Sequence, residues 1–337
     1  MTLREPNNLM YTPQTFVAAL LLVILSMFCW GSWPNFMKAA PPQWRLEYFY
    51  LDYAIGFMIA GTLCGATLGS AGSPGVAVFT RLAESGGMEA GAAMLGGFLW
   101  CLGNILMLLA IVIAGLAVAF PVSSVPAVVL GVGMSYWTQP IGNPLWLAGS
   151  VVFLLVAGFA NAQAYRSLGN PTGSDKPKGV KLALMSGILV GIMPPCVSRA
   201  LSGPLALDAY TLSIYFMLGA LLAALVALPI LLKHPIVGTI GTFKGYVQGK
   251  VAWHVLGLLA GFVWSFGVVA NFLSAKMVGM AITWGAGNGA PMVGALWGIF
   301  LWREFAGGGS RAKVLIGLSM ALYIAGVAGI ALAYLNA

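Results

Sequence analysis

Two carboxylates and four aromatic rings share the segment Glu47-Tyr48-Phe49-Tyr50-Leu51-Asp52-Tyr53, in a chain with only eight acidic residues. On a helix Asp52 lies about 7 Å deeper than Glu47, at ~1.5 Å per residue. Were Asp52 dry, it would exchange a proton near physiological pH and couple a proton gradient to transport, with sodium as the alternative coupling ion; Glu47 is the second candidate for that role. The plainer reading makes both of them interfacial carboxylates, paired with Arg45 or Lys38 in an aromatic belt.

A second chemistry is solute recognition by rings and amides. In Cys29-Trp30-Gly31-Ser32-Trp33-Pro34-Asn35, Pro34 removes a backbone donor and frees the carbonyl of Trp30. Two indoles and polar side chains beside such a break suit a planar or polyhydroxylated solute, while a belt tryptophan pair with a packing kink is the plainer alternative. Pro121-Val122-Ser123-Ser124-Val125-Pro126, Met193-Pro194-Pro195 and Trp284-Gly285-Ala286-Gly287-Asn288-Gly289-Ala290-Pro291 are further expected interruptions. The expected solute contacts are Trp30, Trp33, Asn35, Tyr53, Ser123, Ser124, Trp284 and Asn288, with Asn104 and Asn271 either binding solute or bridging helices. The expected helix breaks are at Pro34, Pro121, Pro126, Pro194 and Pro291.

The elements that hold these residues follow from composition. Of 337 residues 60% are hydrophobic and 7% charged, which cannot cover a soluble globule with a charged surface. Apolar stretches of about 20 residues, the length that crosses ~30 Å of hydrocarbon, recur along the chain. Ten spans are expected, over residues 15–37, 48–70, 90–112, 116–137, 145–165, 180–199, 209–232, 253–275, 278–301 and 313–335; eight is the rival count. Gly115 and Gly279 leave room only for tight hairpins between the third and fourth and the eighth and ninth spans. The 45 glycines suit close helix contact in lipid. The fold class is therefore all-α, a polytopic membrane protein with ten transmembrane helices as two inverted five-helix repeats.

The repeat is visible in the chain. A shift of 164 residues lays Gly97-Phe98-Leu99-Trp100-Cys101-Leu102-Gly103 over Gly261-Phe262-Val263-Trp264-Ser265-Phe266-Gly267, and Gly115 over Gly279. Residues 1–166 and 179–337 are the expected halves, with 167–178 as a linker. An odd number of spans per half gives the copies opposite topology, the plan of many alternating-access transporters. Arg4, Arg81, Arg199 and Lys276 lie on the side of the amino terminus, whereas twelve basic residues, from Lys38 and Arg45 to Arg311 and Lys313, lie opposite. That bias places the linker in the cytoplasm and both termini outside an inner or plasma membrane.

The net charge of +8 falls in the gaps between apolar runs, which points to anchoring in a lipid bilayer and away from nucleic acid. Cys29, Cys64, Cys101 and Cys196 lie in apolar runs without metal or disulfide spacing. Lys276 reads as a snorkelling anchor, His234 and His254 as solvated loop residues, and Arg199 and Asp208 as neighbours that pair across a short loop. No metal, cofactor or catalytic grouping is expected, nor a phosphate loop in the linker, so the chain is not read as an enzyme.

With these residues in hand, the chain resembles the ureide permease family of the drug/metabolite transporter superfamily, whose bacterial relatives include sugar uptake permeases. The likeness is carried by Trp30-Gly31-Ser32-Trp33-Pro34, Phe49-Tyr50-Leu51-Asp52-Tyr53, Gly96-Gly97-Phe98 with Gly103-Asn104, Lys233-His234-Pro235, Phe243-Lys244-Gly245-Tyr246, and Pro291-Met292-Val293 through Trp297-Gly298-Ile299-Phe300 to Arg303-Glu304. It implies ten helices in two inverted repeats and proton-coupled uptake of a small polar solute such as a sugar or an allantoin-like ureide. A metabolite or drug exporter is the nearest alternative; a non-transporting receptor or assembly subunit is the alternative from another class.

Overall fold

Because a bilayer leaves backbone polar groups no water to bond, an apolar chain satisfies them internally as helices. The computed structural model describes residues 10–71, 77–169 and 176–337, and over them the chain is all-α. The helices are α1 (Phe16–Ser32), α2 (Pro34–Ala39), α3 (Leu46–Ala66), α4 (Ala77–Glu84), α5 (Gly87–Ala114), α6 (Leu116–Thr138) and α7 (Pro144–Arg166). The chain continues with α8 (Lys176–Ser202), α9 (Ala209–Lys233), α10 (Phe243–Val247), α11 (Val251–Val278), α12 (Met280–Gly287), α13 (Ala290–Phe300) and α14 (Ser310–Leu335).

Nine helices among the described residues, counting α1 with α2 as one, are long and apolar enough to cross a membrane. The protein is a polytopic membrane protein. The remaining expected span, over 278–301, is divided into α12 and α13. Several helices outrun their expected limits: α5 begins at Gly87 and takes in Glu89, and α11 runs to Val278 past Lys276. Hydropathy marks the hydrocarbon depth, whereas the backbone ladder continues into the interface. Arg4 and linker residues 170–175 lie outside the described residues.

The two expected hairpins are each one residue wide. Gly115 ends α5 and opens α6 at φ 82° and ψ 153°; Gly279 does the same for α11 and α12 at φ 85° and ψ 150°. A positive φ with extended ψ is accessible to glycine because it lacks a Cβ.

The prolines behave unequally. Pro34 interrupts the ladder between α1 and α2 at Trp33 alone, and the Asn35 amide donates to Ser32 O at 2.9 Å beside it. Pro291 sits in the first turn of α13, where its missing donor is harmless. The breaks expected at Pro121, Pro126 and Pro194 are absent: α6 and α8 run through them unbroken. Neighbours hold these helices in line, for Gly187 and Gly191 of α8 close directly on Ser123 and Pro126 of α6. A proline then costs one ladder bond without ending the helix.

Packing places α5 along α8 and α9, and α11 along α1 and α3, while α7 runs along α14. Several glycine contacts bring backbones together, and two of them lie at equivalent positions of the repeated motif. A Cβ on Gly97 would strike the carbonyl of Phe216 in α9, and one on Gly261 would strike the carbonyl of Tyr53 in α3. The ends are tied by ion pairs. Arg45–Glu47 at 2.9 Å and Lys38–Glu304 stand at the basic end; Arg81–Asp208 at 2.9 Å and Arg199–Glu89 at 3.4 Å stand at the other. The expected Arg199–Asp208 pair is thus replaced by two others, because Asp208 caps α9 through Tyr210 N and Thr211 N and faces Arg81 from there. Lys276 donates to Leu201 O at 3.0 Å.

Gly97→Ala and Gly261→Ala are each expected to destabilise by about 1–3 kcal/mol through overpacking, whereas Gly149→Ala, which has no neighbour within 4 Å, is expected to be neutral or stabilising. Thermal unfolding of detergent-solubilised protein checks this; equal midpoints for all three would mean that the backbones do not touch.

Candidate functional site

Three residues beyond each close glycine contact comes a tryptophan, and the two meet. Trp100 of α5 and Trp264 of α11 stack with ring centroids 4.0 Å apart and planes 25° from parallel. They are 164 positions apart, the spacing at which the chain repeats. Around them lies a cavity of about 150 Å³, walled by Trp30, Trp33, Trp100, Trp264, Trp284, Phe216 and Phe272, with Met193, Val268, Met280 and Asn104 between. Elements from both ends of the chain contribute, namely α1, α5, α8, α9, α11 and α12, with Trp33 at the α1–α2 joint.

Its polar equipment is small. Asn104 Oδ1 and Trp30 Nε1 are buried without a partner among the described residues. One accepts and the other donates, so a solute with both an N–H and a carbonyl edge would satisfy them. The rings offer faces for its plane. Trp284 is fixed by its Nε1 donating to Ala127 O at 3.1 Å. Trp33 stacks on Tyr53 at 4.7 Å, so Tyr53 backs the wall, with its own hydroxyl unpartnered among the described residues.

The other expected contacts are placed elsewhere. Asn271 is fully buried and donates to Ser26 Oγ at 3.3 Å and Thr283 O at 3.1 Å, a helix bridge. Ser123 meets Ser186 Oγ at 3.1 Å between α6 and α8, and Ser124 beside it is half-buried. Asn288 donates to Trp284 O at 2.7 Å and closes the end of α12. Asn35 Oδ1 accepts from Trp302 Nε1 at 2.6 Å, nearer the basic end. Trp100, Trp264 and the phenylalanines were not among the expected contacts, although the repeated Phe-x-Trp-x-x-Gly motif contains both tryptophans.

Asp52 stands beneath this cavity toward the basic end and is 2% exposed. Its Oδ1 accepts from the Tyr246 hydroxyl at 2.6 Å and lies 3.0 Å from His254 Nδ1, which is 3.1 Å from Oδ2. His254 is thus a partner of the carboxylate and not a solvated loop residue. The chain explains why: α11 begins at Val251, so His254 already lies one turn inside, opposite the first turns of α3. Tyr246, on the surface helix α10, has its pKa raised by burial and then by the bond to Asp52, which keeps its proton on the donating oxygen. The carboxylate is thus held by a phenol and an imidazole and by no permanent cation. Glu47 is occupied differently, in a two-pronged contact with Arg45 at 2.9 and 3.2 Å.

The sequence model of the family described as Ureide permease matches residues 173–333. The chain is similar to ureide permeases over most of its length. Ureide permease 1 of Arabidopsis thaliana is 24% identical, with 95% of this chain and 97% of the relative covered; ureide permease 4 of the same plant is also 24% identical, covering 95% and 98%. A solved crystal structure shares the fold, with a TM-score of 0.64 at 13% identity over 95% of this chain and 98% of that one.

A double-mutant cycle on Asp52→Asn and His254→Ala is expected to give a coupling of about 1–3 kcal/mol in unfolding. His254→Ala should destabilise the otherwise unchanged protein more than it destabilises the Asp52→Asn variant, whose neutral amide leaves less for the imidazole to hold. Additive effects would separate the two side chains.

Proposed function

We propose that this protein carries a small, neutral, planar solute of the ureide class across the membrane by alternating access, taking it into the cell with a proton. The observation that carries the reading is the aromatic cavity beside the stacked Trp100–Trp264 pair, walled by residues from both halves of the chain, with one acceptor and one donor among its lining residues unpartnered among the described residues. A ureide presents N–H and carbonyl groups in one plane, matching that pair of atoms and those faces. The curated relatives' name, ureide permease, agrees with this class of solute.

Two inverted five-helix halves, 1–166 and 179–337, would supply the motion. In support, the helix that pairs with two partners in one half, α5 with α8 and α9, has its counterpart in α11 with α1 and α3. Equivalent bundles of opposite topology have two arrangements of similar energy, one open to each side. The basic end then faces the cytoplasm and both termini face outward, because twelve of the sixteen Lys and Arg residues lie at that end.

Coupling falls to Asp52. Tyr53, its neighbour, stacks on Trp33 of the cavity wall, so a change in the charge and bonding of Asp52 reaches the solute through one ring pair. His254 and Tyr246 hold the carboxylate in place. Glu47, tied to Arg45, shapes the inner end of α3 and is not needed for this step.

The test is uptake of radiolabelled allantoin into proteoliposomes under an imposed pH gradient, acid outside. Saturable accumulation is expected. Asp52→Asn should abolish accumulation while leaving solute exchange, and Trp264→Ala should raise the apparent KM several-fold, in keeping with ~0.5–1.5 kcal/mol per ring pair. Full accumulation by Asp52→Asn would remove Asp52 from coupling; binding without any flux would make the protein a receptor.

A further inference from the structure

A second cavity, of about 310 Å³, lies between the central one and the basic end, bounded by α1, α2, α6, α7 and α13. It is twice the volume of the central cavity and lies within the size range of small-molecule sites. The two proline-marked joints meet there, for Pro34 and Pro291 both line it.

Its walls are mostly apolar, with a few polar groups that converge. Asn161, five residues before the end of α7, is 7% exposed, and its Oδ1 has no partner among the described residues. At membrane depth an unfilled amide acceptor costs free energy that an N–H donor in the cavity would recover. Toward the mouth, Glu304 forms an ion pair with Lys38 and accepts from the Tyr165 hydroxyl at 3.1 Å. Lys38 Nζ also lies 4.5 Å from the centre of the Trp302 ring, and the Trp302 indole is bound to Asn35. The turn that brings Trp302 and Glu304 to the same cavity holds Arg303 at φ 52°, the one non-glycine residue with positive φ among those described.

A flat solute fits this space: its faces lie on the Phe120 ring and the apolar wall, one N–H meets the Asn161 amide oxygen, and its carbonyl edge accepts from an N–H of Lys38 that is not directed at Glu304. We infer that this cavity is a second binding site for a small neutral amide-bearing solute, distinct from the central one and closed at its mouth by the Lys38–Glu304–Tyr165 contact. The inference rests on the ureide reading of the central cavity, since it assigns the same solute class.

Gly294 supplies a clean test. It lines the cavity from α13, and a Cβ there would meet only Gly31 O, at an ordinary 3.7 Å. Gly294→Leu therefore grows into the empty space and improves helix propensity. Equilibrium dialysis of full-length purified protein with radiolabelled allantoin, with uracil as a second probe, is expected to show two solutes per wild-type chain and one per Gly294→Leu chain, at an unchanged or higher unfolding midpoint. Asn161→Leu should weaken the same site about tenfold or more, the loss expected for one buried hydrogen bond. Trp264→Ala should weaken the other site and leave this one. A single site in the wild type, unaffected by Gly294→Leu in a protein that still transports, overturns this inference alone. Neither binding nor flux with either probe overturns it together with the ureide reading.

Discussion

Where Gly97 meets the carbonyl of Phe216, and Gly261 that of Tyr53, two pairs of helices touch backbone to backbone, with Gly219 on Met94 and Gly56 on Leu258 closing the same two pairs from the other side, and these approaches set the centre of the protein. In lipid there is no hydrophobic drive between helices, so close contact of small residues does the work that apolar burial does in water. Each approach draws its helix inward, and the tryptophan one turn later then projects to the middle. Trp100 and Trp264 stack because both helices are held at that distance. The aromatic cavity is a consequence of the same geometry, as is its restricted size.

Polar groups in the bundle sort into three fates. At the two ends, Arg and Lys are matched with Glu and Asp. Inside, Asn271, Ser123 and Ser274 bridge helices, Ser274 donating to Ala19 O at 2.7 Å. What remains is a short set without partners among the described residues, including Asn104 Oδ1 and Trp30 Nε1 at the central cavity and Asn161 Oδ1 at the inner one. Unfilled hydrogen-bonding capacity beside empty space separates a wall built to receive something from one built only to pack. Asp52 belongs to none of these groups: it is partnered, but by a phenol and an imidazole and not by a permanent cation.

Much of the architecture was legible in the chain. Apolar runs located the spans, because hydrocarbon thickness imposes a length, and the Gly115 and Gly279 regions announced tight hairpins, which the structure makes one residue wide through a positive φ at each glycine. The proline breaks were less legible. Pro34 interrupts a ladder and Pro291 opens a helix, yet α6 and α8 run through Pro121, Pro126 and Pro194, where the two helices pack closely on each other. Trp30, Trp33, Asn104 and Trp284 were expected at a solute site and do line the central cavity. Ser123 and the amide nitrogen of Asn271 turned out to face partners on other helices, while Asn271 Oδ1 has none among the described residues.

The order of residues by itself determined that the chain lives in a membrane, how many times its apolar stretches recur, and that one motif is written twice, since hydropathy, length and repetition are properties of a line. It also put a carboxylate among rings at Asp52. Only the tertiary structure decided which residues are neighbours across long separations. His254 stands beside Asp52, Glu304 reaches Lys38, and Asn161, on the wall of a cavity, keeps an Oδ1 without a partner among the described residues, because helix packing in three dimensions decides which polar atoms find mates.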